Sequence, residues 1–141
     1  MSEHIGSKLP PPLRFELGNI AEYQHANAAL LISVDQDGLP RVAVISAAEI
    51  ASPDERTLHI RVHSDSSTAK NLRARGQAAL WSVLDAAAYS VRGAVKPHGK
   101  PADDPEDYSE WQTFELQVSS VLRDFEPGAP LTSGPTYKRL S

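Results

Sequence analysis

The sequence predicts a mainly β chain, a β-barrel carrying a few short helices, on three observations. Apolar and β-branched residues recur in short runs, several with a period of two. Clusters of Asp, Gly, Ser and Pro separate the runs at turn-length intervals. Few segments read as helices, and each is short. Several short antiparallel strands must close into a barrel or sandwich, because a lone sheet of this size would leave an apolar face uncovered.

The elements follow in order. Residues 8–14 carry three consecutive prolines, Pro10, Pro11 and Pro12, which favour an extended, polyproline-like segment over a helix. Residues 1–17 are therefore expected to be an extended N-terminal arm. Between residues 18 and 28, apolar Ile20, Ala21 and Ala28 alternate with polar Glu22, Gln24 and Asn27, which suits one modest helix. Residues 29–34 (A-L-L-I-S-V) read as a strand entering a hairpin at Asp35-Gln-Asp-Gly38. The return is residues 41–47, a polar break follows at 52–56, and 57–63 is the next strand, giving three consecutive antiparallel strands. In that last run, T-L-H-I-R-V-H, Leu58, Ile60 and Val62 face the core while His59, Arg61 and His63 face the other way.

Residues 64–67 are rich in serine and precede a short helix over 68–75, which Gly76 stops. Residues 78–84 and 88–95 form two more strands joined by a tight turn centred on Asp85, and 113–125 forms the last, making about six strands. Residues 97–108, with three prolines and several acids, read as a surface loop. The expected organisation is a barrel domain over 18–126 and an irregular C-terminal tail over 127–141.

Composition narrows the function. A length of 141 residues suits one domain. With no cysteine, disulfides, thiolate catalysis and thiolate metal sites are excluded, and a cytoplasmic location is expected. No apolar run has the length of a membrane span, and the N-terminus has no signal-peptide pattern. A net charge of −4, with no extended Lys and Arg cluster, disfavours nucleic acid as a partner. His59 and His63 lie about 13 Å apart along one strand, too far to share an ion, and no H-E-x-x-H spacing occurs, so no metal site is expected.

The order of A-L-L-I-S-V-D-Q-D-G-L-P-R-V-A-V (residues 29–44), S-S-T-A-K-N-L-R-A-R-G-Q-A-A-L (66–80) and Y-S-V-R-G-A-V (89–95) resembles the pyridoxamine-5′-phosphate-oxidase-like, FMN-binding split-barrel family. The resemblance runs from about residue 20 to residue 125. It implies a homodimeric split barrel with FMN, or in a sister branch a deazaflavin, in a groove at the subunit interface. By position, Arg41, Val42, Ala43 and Val44 match the strand that flanks the flavin. Ser66, Ser67, Thr68, Lys70 and Asn71 match the loop and helix start that receive its phosphate, where hydroxyls, backbone N–H groups and a cation suit a dianion. The sequence departs from the pattern in two places. Thr68 stands where a lysine is common, and the arginine- and histidine-bearing signature expected after Trp111-Gln112 is missing, so a vitamin-B6 oxidase proper is not implied.

Trp81 and Trp111 could stack on a flavin ring, although a barrel tryptophan more often serves a core or an interface, and neither is assigned to the site. No Ser-His-Asp set, carboxylate pair or cysteine nucleophile is apparent, so no catalytic residue is assigned. The expected function is that of an FMN-dependent oxidoreductase acting on an unidentified small molecule, the cofactor supplying the redox chemistry. The alternatives are a deazaflavin- or haem-binding barrel, and a non-catalytic barrel that has lost its cofactor.

Overall fold

The computed structural model describes residues 1–18, 28–99 and 110–136. Its elements are β1 (Ser2–Gly6), α1 (Pro11–Gly18), β2 (Ala28–Val34), β3 (Pro40–Ser46), a 3₁₀ turn (Ala47–Glu49), β4 (Ile50–Asp54), β5 (Thr57–His63), α2 (Ser67–Arg75), β6 (Gln77–Leu84), β7 (Ala87–Pro97) and β8 (Trp111–Asp124). The strands form one antiparallel sheet in the order β3-β2-β6-β7-β8-β5-β4, with β1 added to β8. This is the mainly β class with short helices that the sequence predicts.

β8 organises the sheet. Over 14 residues it pairs with β7 along one side, and along the other it pairs first with β5 and then with β1. The alternation in β5 is as expected: Leu58, Ile60 and Val62 are buried, while Arg61 and His63 are exposed and His59 is half-buried. These side chains meet Leu31, Leu80, Val91, Phe114, Leu116 and Val121 from the rest of the sheet in one core. Leu13 and Leu17 of α1 and Ala69 and Leu72 of α2 close that core.

Four expectations are corrected. The N-terminal arm is not simply extended: β1 pairs with β8, and residues 11–18 are helical in spite of the prolines. The reason is that proline lacks only an N–H that the first turn of a helix leaves unused, and its fixed φ suits that position. The first such bond comes from Arg14, whose N–H donates to the Pro10 carbonyl at 2.9 Å. Leu9, Leu13 and Leu17 recur at a spacing of four and are buried.

The polar break at 52–56 is largely strand: Pro53 lies in β4, which ends the sheet, where a missing donor costs no ladder bond. In consequence the three strands are not consecutive neighbours, since β5 pairs with β4 and β8 and not with β3. Among the described residues the strands number eight where about six are expected, the additions being β1 and β4. The helix expected over 18–28 falls largely outside the described residues, as does most of the loop expected over 97–108. Residues 127–136 form no helix or strand beyond an isolated bridge at 136.

Candidate functional site

The site is built from the β2–β3 hairpin and α2. The hairpin turns through Asp35-Gln-Asp-Gly38, where the Asp35 N–H donates to the Leu39 carbonyl at 2.8 Å and Gly38 takes φ +86°. That turn brings Arg41 back beside Asp35, with Arg41 Nε 2.8 Å from Asp35 Oδ1. The α2 N-terminus is capped by Ser66, whose Oγ accepts from the Ala69 N–H at 3.0 Å while its hydroxyl donates to the His63 carbonyl at 2.7 Å. Gly76 ends the helix in the left-handed conformation, and its N–H donates to the Leu72 carbonyl. The start and stop of this helix are therefore those the sequence predicts, one residue longer at the front.

Asn71 joins the two pieces. Its Nδ2 donates to Ser33 Oγ at 3.1 Å and to Asp35 Oδ1 at 2.7 Å, and Arg75 Nη1 donates to its Oδ1 at 3.4 Å. The hydrogen bond from Arg41, followed by that from Asn71, holds the Asp35 carboxyl below the usual carboxylate range. The same pairing with Asp35 raises Arg41 further. Between hairpin and helix lies an open cleft of about 740 Å³ lined by Asp35, Gln36, Asp37, Ser67, Lys70, Asn71, Ala74 and Arg75.

The structure brings some of the nine expected cofactor residues together and separates others. Ser67, Lys70 and Asn71 line the cleft, and Arg41 stands beside it through Asp35. The Ser66 hydroxyl is engaged in the cap, and Thr68 is buried. Strand alternation turns Val42 and Val44 to the other face of the sheet, opposite Ile32 and Leu30 across the ladder, while Ala43 lies opposite buried Leu31. Val42 and Val44 are 57% and 56% exposed, which is unusual for two valines on one face. On that face Ile32, Val34, Ala79 and Arg92 line a second groove of about 600 Å³. Trp111 stacks on His63 with ring centroids 4.0 Å apart, and the Arg61 guanidinium lies 4.8 Å from its ring centre.

Asn71 is buried and braces the hairpin against the helix, a role its position in a phosphate-binding pattern does not reveal. Asn71→Ala is expected to lower stability by about 1–3 kcal/mol, because it removes the hydrogen bonds to Ser33 and Asp35 from a buried position. Urea denaturation measures this, and a change below about 0.5 kcal/mol would contradict the bracing role.

A family model described as pyridoxamine 5′-phosphate oxidase matches residues 19–131. The chain belongs to the pyridoxamine 5′-phosphate oxidase-like split-barrel family. β1 and α1 precede the matched stretch of this split barrel. Among curated relatives, the uncharacterized protein YclD of Bacillus subtilis is 34% identical over 113 residues, covering 80% of this chain and 71% of that protein. A crystal structure described as a putative pyridoxamine 5′-phosphate oxidase from Lactobacillus delbrueckii superposes with a TM-score of 0.64 at 18% identity, over 84% of this chain and 98% of that one. HutZ, described as the heme storage protein from Vibrio cholerae, superposes with a TM-score of 0.54 at 13% identity, over 72% and 85%. At these identities the two structures establish the shared split-barrel fold.

Proposed function

We propose that this split barrel binds FMN between two copies of the chain and serves as an FMN-dependent oxidoreductase for a small molecule. The observation that carries the reading is the α2 cleft. Lys70 and Arg75 line it, Arg41 stands beside it, and among the described residues Lys70 has no ion pair. Asp35 and Asp37 share the cleft, so the fit to a phosphate dianion depends on Arg41 neutralising Asp35 at 2.8 Å. With that charge cancelled, two cations face one remaining carboxylate and the Ser67 hydroxyl, a donor set suited to phosphate.

The partner copy is proposed on the exposed face of β3. This strand ends the sheet, and its exposed Val42 and Val44 offer an apolar edge that a second copy can cover. The valines lie on the face of β3 opposite the cleft, so they serve the contact with the partner copy while Lys70 and Ser67 hold the phosphate. FMN, when bound, supplies hydride and single-electron transfer. The protein's part is to bind, orient and shield, and no side chain is assigned a catalytic role.

The test is the visible spectrum after incubation with FMN and desalting, recorded with the elution volume on a sizing column. A retained flavin band at dimer mass is expected. Lys70→Ala is expected to weaken FMN binding about tenfold or more, the value of one charge-assisted hydrogen bond, and Arg41→Ala to weaken it by leaving the Asp35 charge in the cleft uncompensated. Retention of a deazaflavin in place of FMN would move the reading to that cofactor, and a Soret band would move it to haem. Equal flavin affinity in both variants would overturn the cleft assignment.

A further inference from the structure

On the solvent side of β5 and β8, away from the cofactor cleft, three strands bring together groups that lie far apart in the chain. His59 and Glu115 are directly paired across β5 and β8, and Glu115 is paired on its other side with Lys96 of β7. Just beyond the end of β7, the His98 N–H donates to the Thr113 carbonyl at 2.9 Å, which extends the ladder and sets His98 over the same row. His59 Nε2 lies 3.7 Å from Glu115 Oε1, and His98 Nδ1 lies 4.0 Å from that same oxygen. The two imidazoles are stacked with centroids 4.0 Å apart and planes 27° from parallel. All three candidate ligand atoms fall within 4.8 Å of one another.

We propose that His59, His98 and Glu115 form a binding site for a divalent transition-metal ion of the zinc type. Two imidazole nitrogens and one carboxylate oxygen are the donors such ions prefer, and three protein ligands leave a position for water or another small ligand. Metal–ligand bonds of about 2.0–2.2 Å in tetrahedral geometry put ligand atoms about 3.4 Å apart. The observed separations, all within 4.8 Å, exceed that by up to about 1.4 Å, and side-chain rotations that turn the stacked rings toward a common point close the gap.

The backbone fixes the arrangement beforehand, because two ligands are ladder partners and the third is hydrogen-bonded to the same strand. The Lys96 ammonium is the competing cation, 3.3 Å from Glu115 Oε2, and it occupies the oxygen that the imidazoles do not face. Its side chain is 74% exposed and can leave without disturbing the core. None of these residues lines either groove described above, so the proposal stands independently of flavin binding.

The experiment is a zinc titration of the full chain against a chromophoric chelator at neutral pH, with circular dichroism to confirm that each variant is folded. The expected result is one zinc ion bound per chain. His59→Ala, His98→Ala and Glu115→Gln are each expected to weaken it at least tenfold, while His63→Ala leaves it unchanged. Zinc is also expected to raise the melting temperature of the wild type and not that of folded His98→Ala. The proposal is overturned if the wild type takes up no zinc at 100-fold excess, if His59→Ala and His98→Ala bind as the wild type does, or if His63→Ala loses the ion.

Discussion

Phe114→Ala is expected to lower the stability of the chain by about 3–5 kcal/mol, the range for emptying a buried aromatic site. Phe114 is 0% exposed and sits on β8 opposite Ile60 of β5 and Pro97 of β7. Among the described residues it is the largest fully buried side chain. Its neighbours on either side are ladder partners held by backbone hydrogen bonds, so they cannot collapse into the void without breaking pairing on both flanks. The control is Phe15→Ala, which removes the same ring from an exposed position on α1 and should change stability by no more than about 0.5 kcal/mol. Urea denaturation of both variants decides the matter through the midpoint at constant slope. A Phe114→Ala loss below 1 kcal/mol would show that this part of the barrel repacks.

Gly93→Ala is expected to cost at least about 2–3 kcal/mol for a different reason, overpacking against backbone. An added Cβ would stand 1.9 Å from the Gln117 carbonyl oxygen and 2.8 Å from its carbon. Neither is the end of a flexible side chain. The close approach comes from a bulge: Arg92 pairs with Ser120 and Gly93 with Val118, leaving Ser119 unmatched on β8. Ser119 uses its hydroxyl to donate to the Arg92 carbonyl at 2.9 Å, which holds the bulge in place.

Gly38→Ala offers the contrast. Gly38 has φ +86° and open space around it, so its substitution costs only the backbone penalty, about 1–2 kcal/mol. If the two variants lost equal stability by thermal denaturation, the clash assigned to Gly93 would be wrong.

The sequence displays some of this structure and conceals the rest for identifiable reasons. β5 is legible because its period-two pattern is uninterrupted, and α2 is legible because Ser66 and Gly76 mark its ends chemically. α1 is hidden by its prolines, although the spacing of Leu9, Leu13 and Leu17 carries the helical period. β4 is hidden by Pro53, which only an edge strand tolerates, and edge status belongs to the whole sheet.

The candidate site divides in the same way. Ser67 and Lys70 lie in the first turns of α2, which its N-cap makes legible, whereas the bracing role of Asn71 depends on Ser33 and Asp35, some 38 and 36 residues away in the chain. His59, His98 and Glu115 are likewise adjacent only because β7, β8 and β5 are neighbours. No local spacing rule could find them.

The pairing of β1 with β8 bears on how the chain acquires its structure. Ser2 lies opposite Asp124, so β1 has nowhere to dock until about 120 further residues have been made. During synthesis at about 5–20 residues per second, residues 2–6 wait several seconds for their partner. Contacts of such long sequence separation place the domain among slowly folding β topologies, on a scale of about milliseconds to seconds once the chain is complete. Addition of β1 to the sheet is thus a late event, and the edge of β8 that β1 covers stays open to other strands until then.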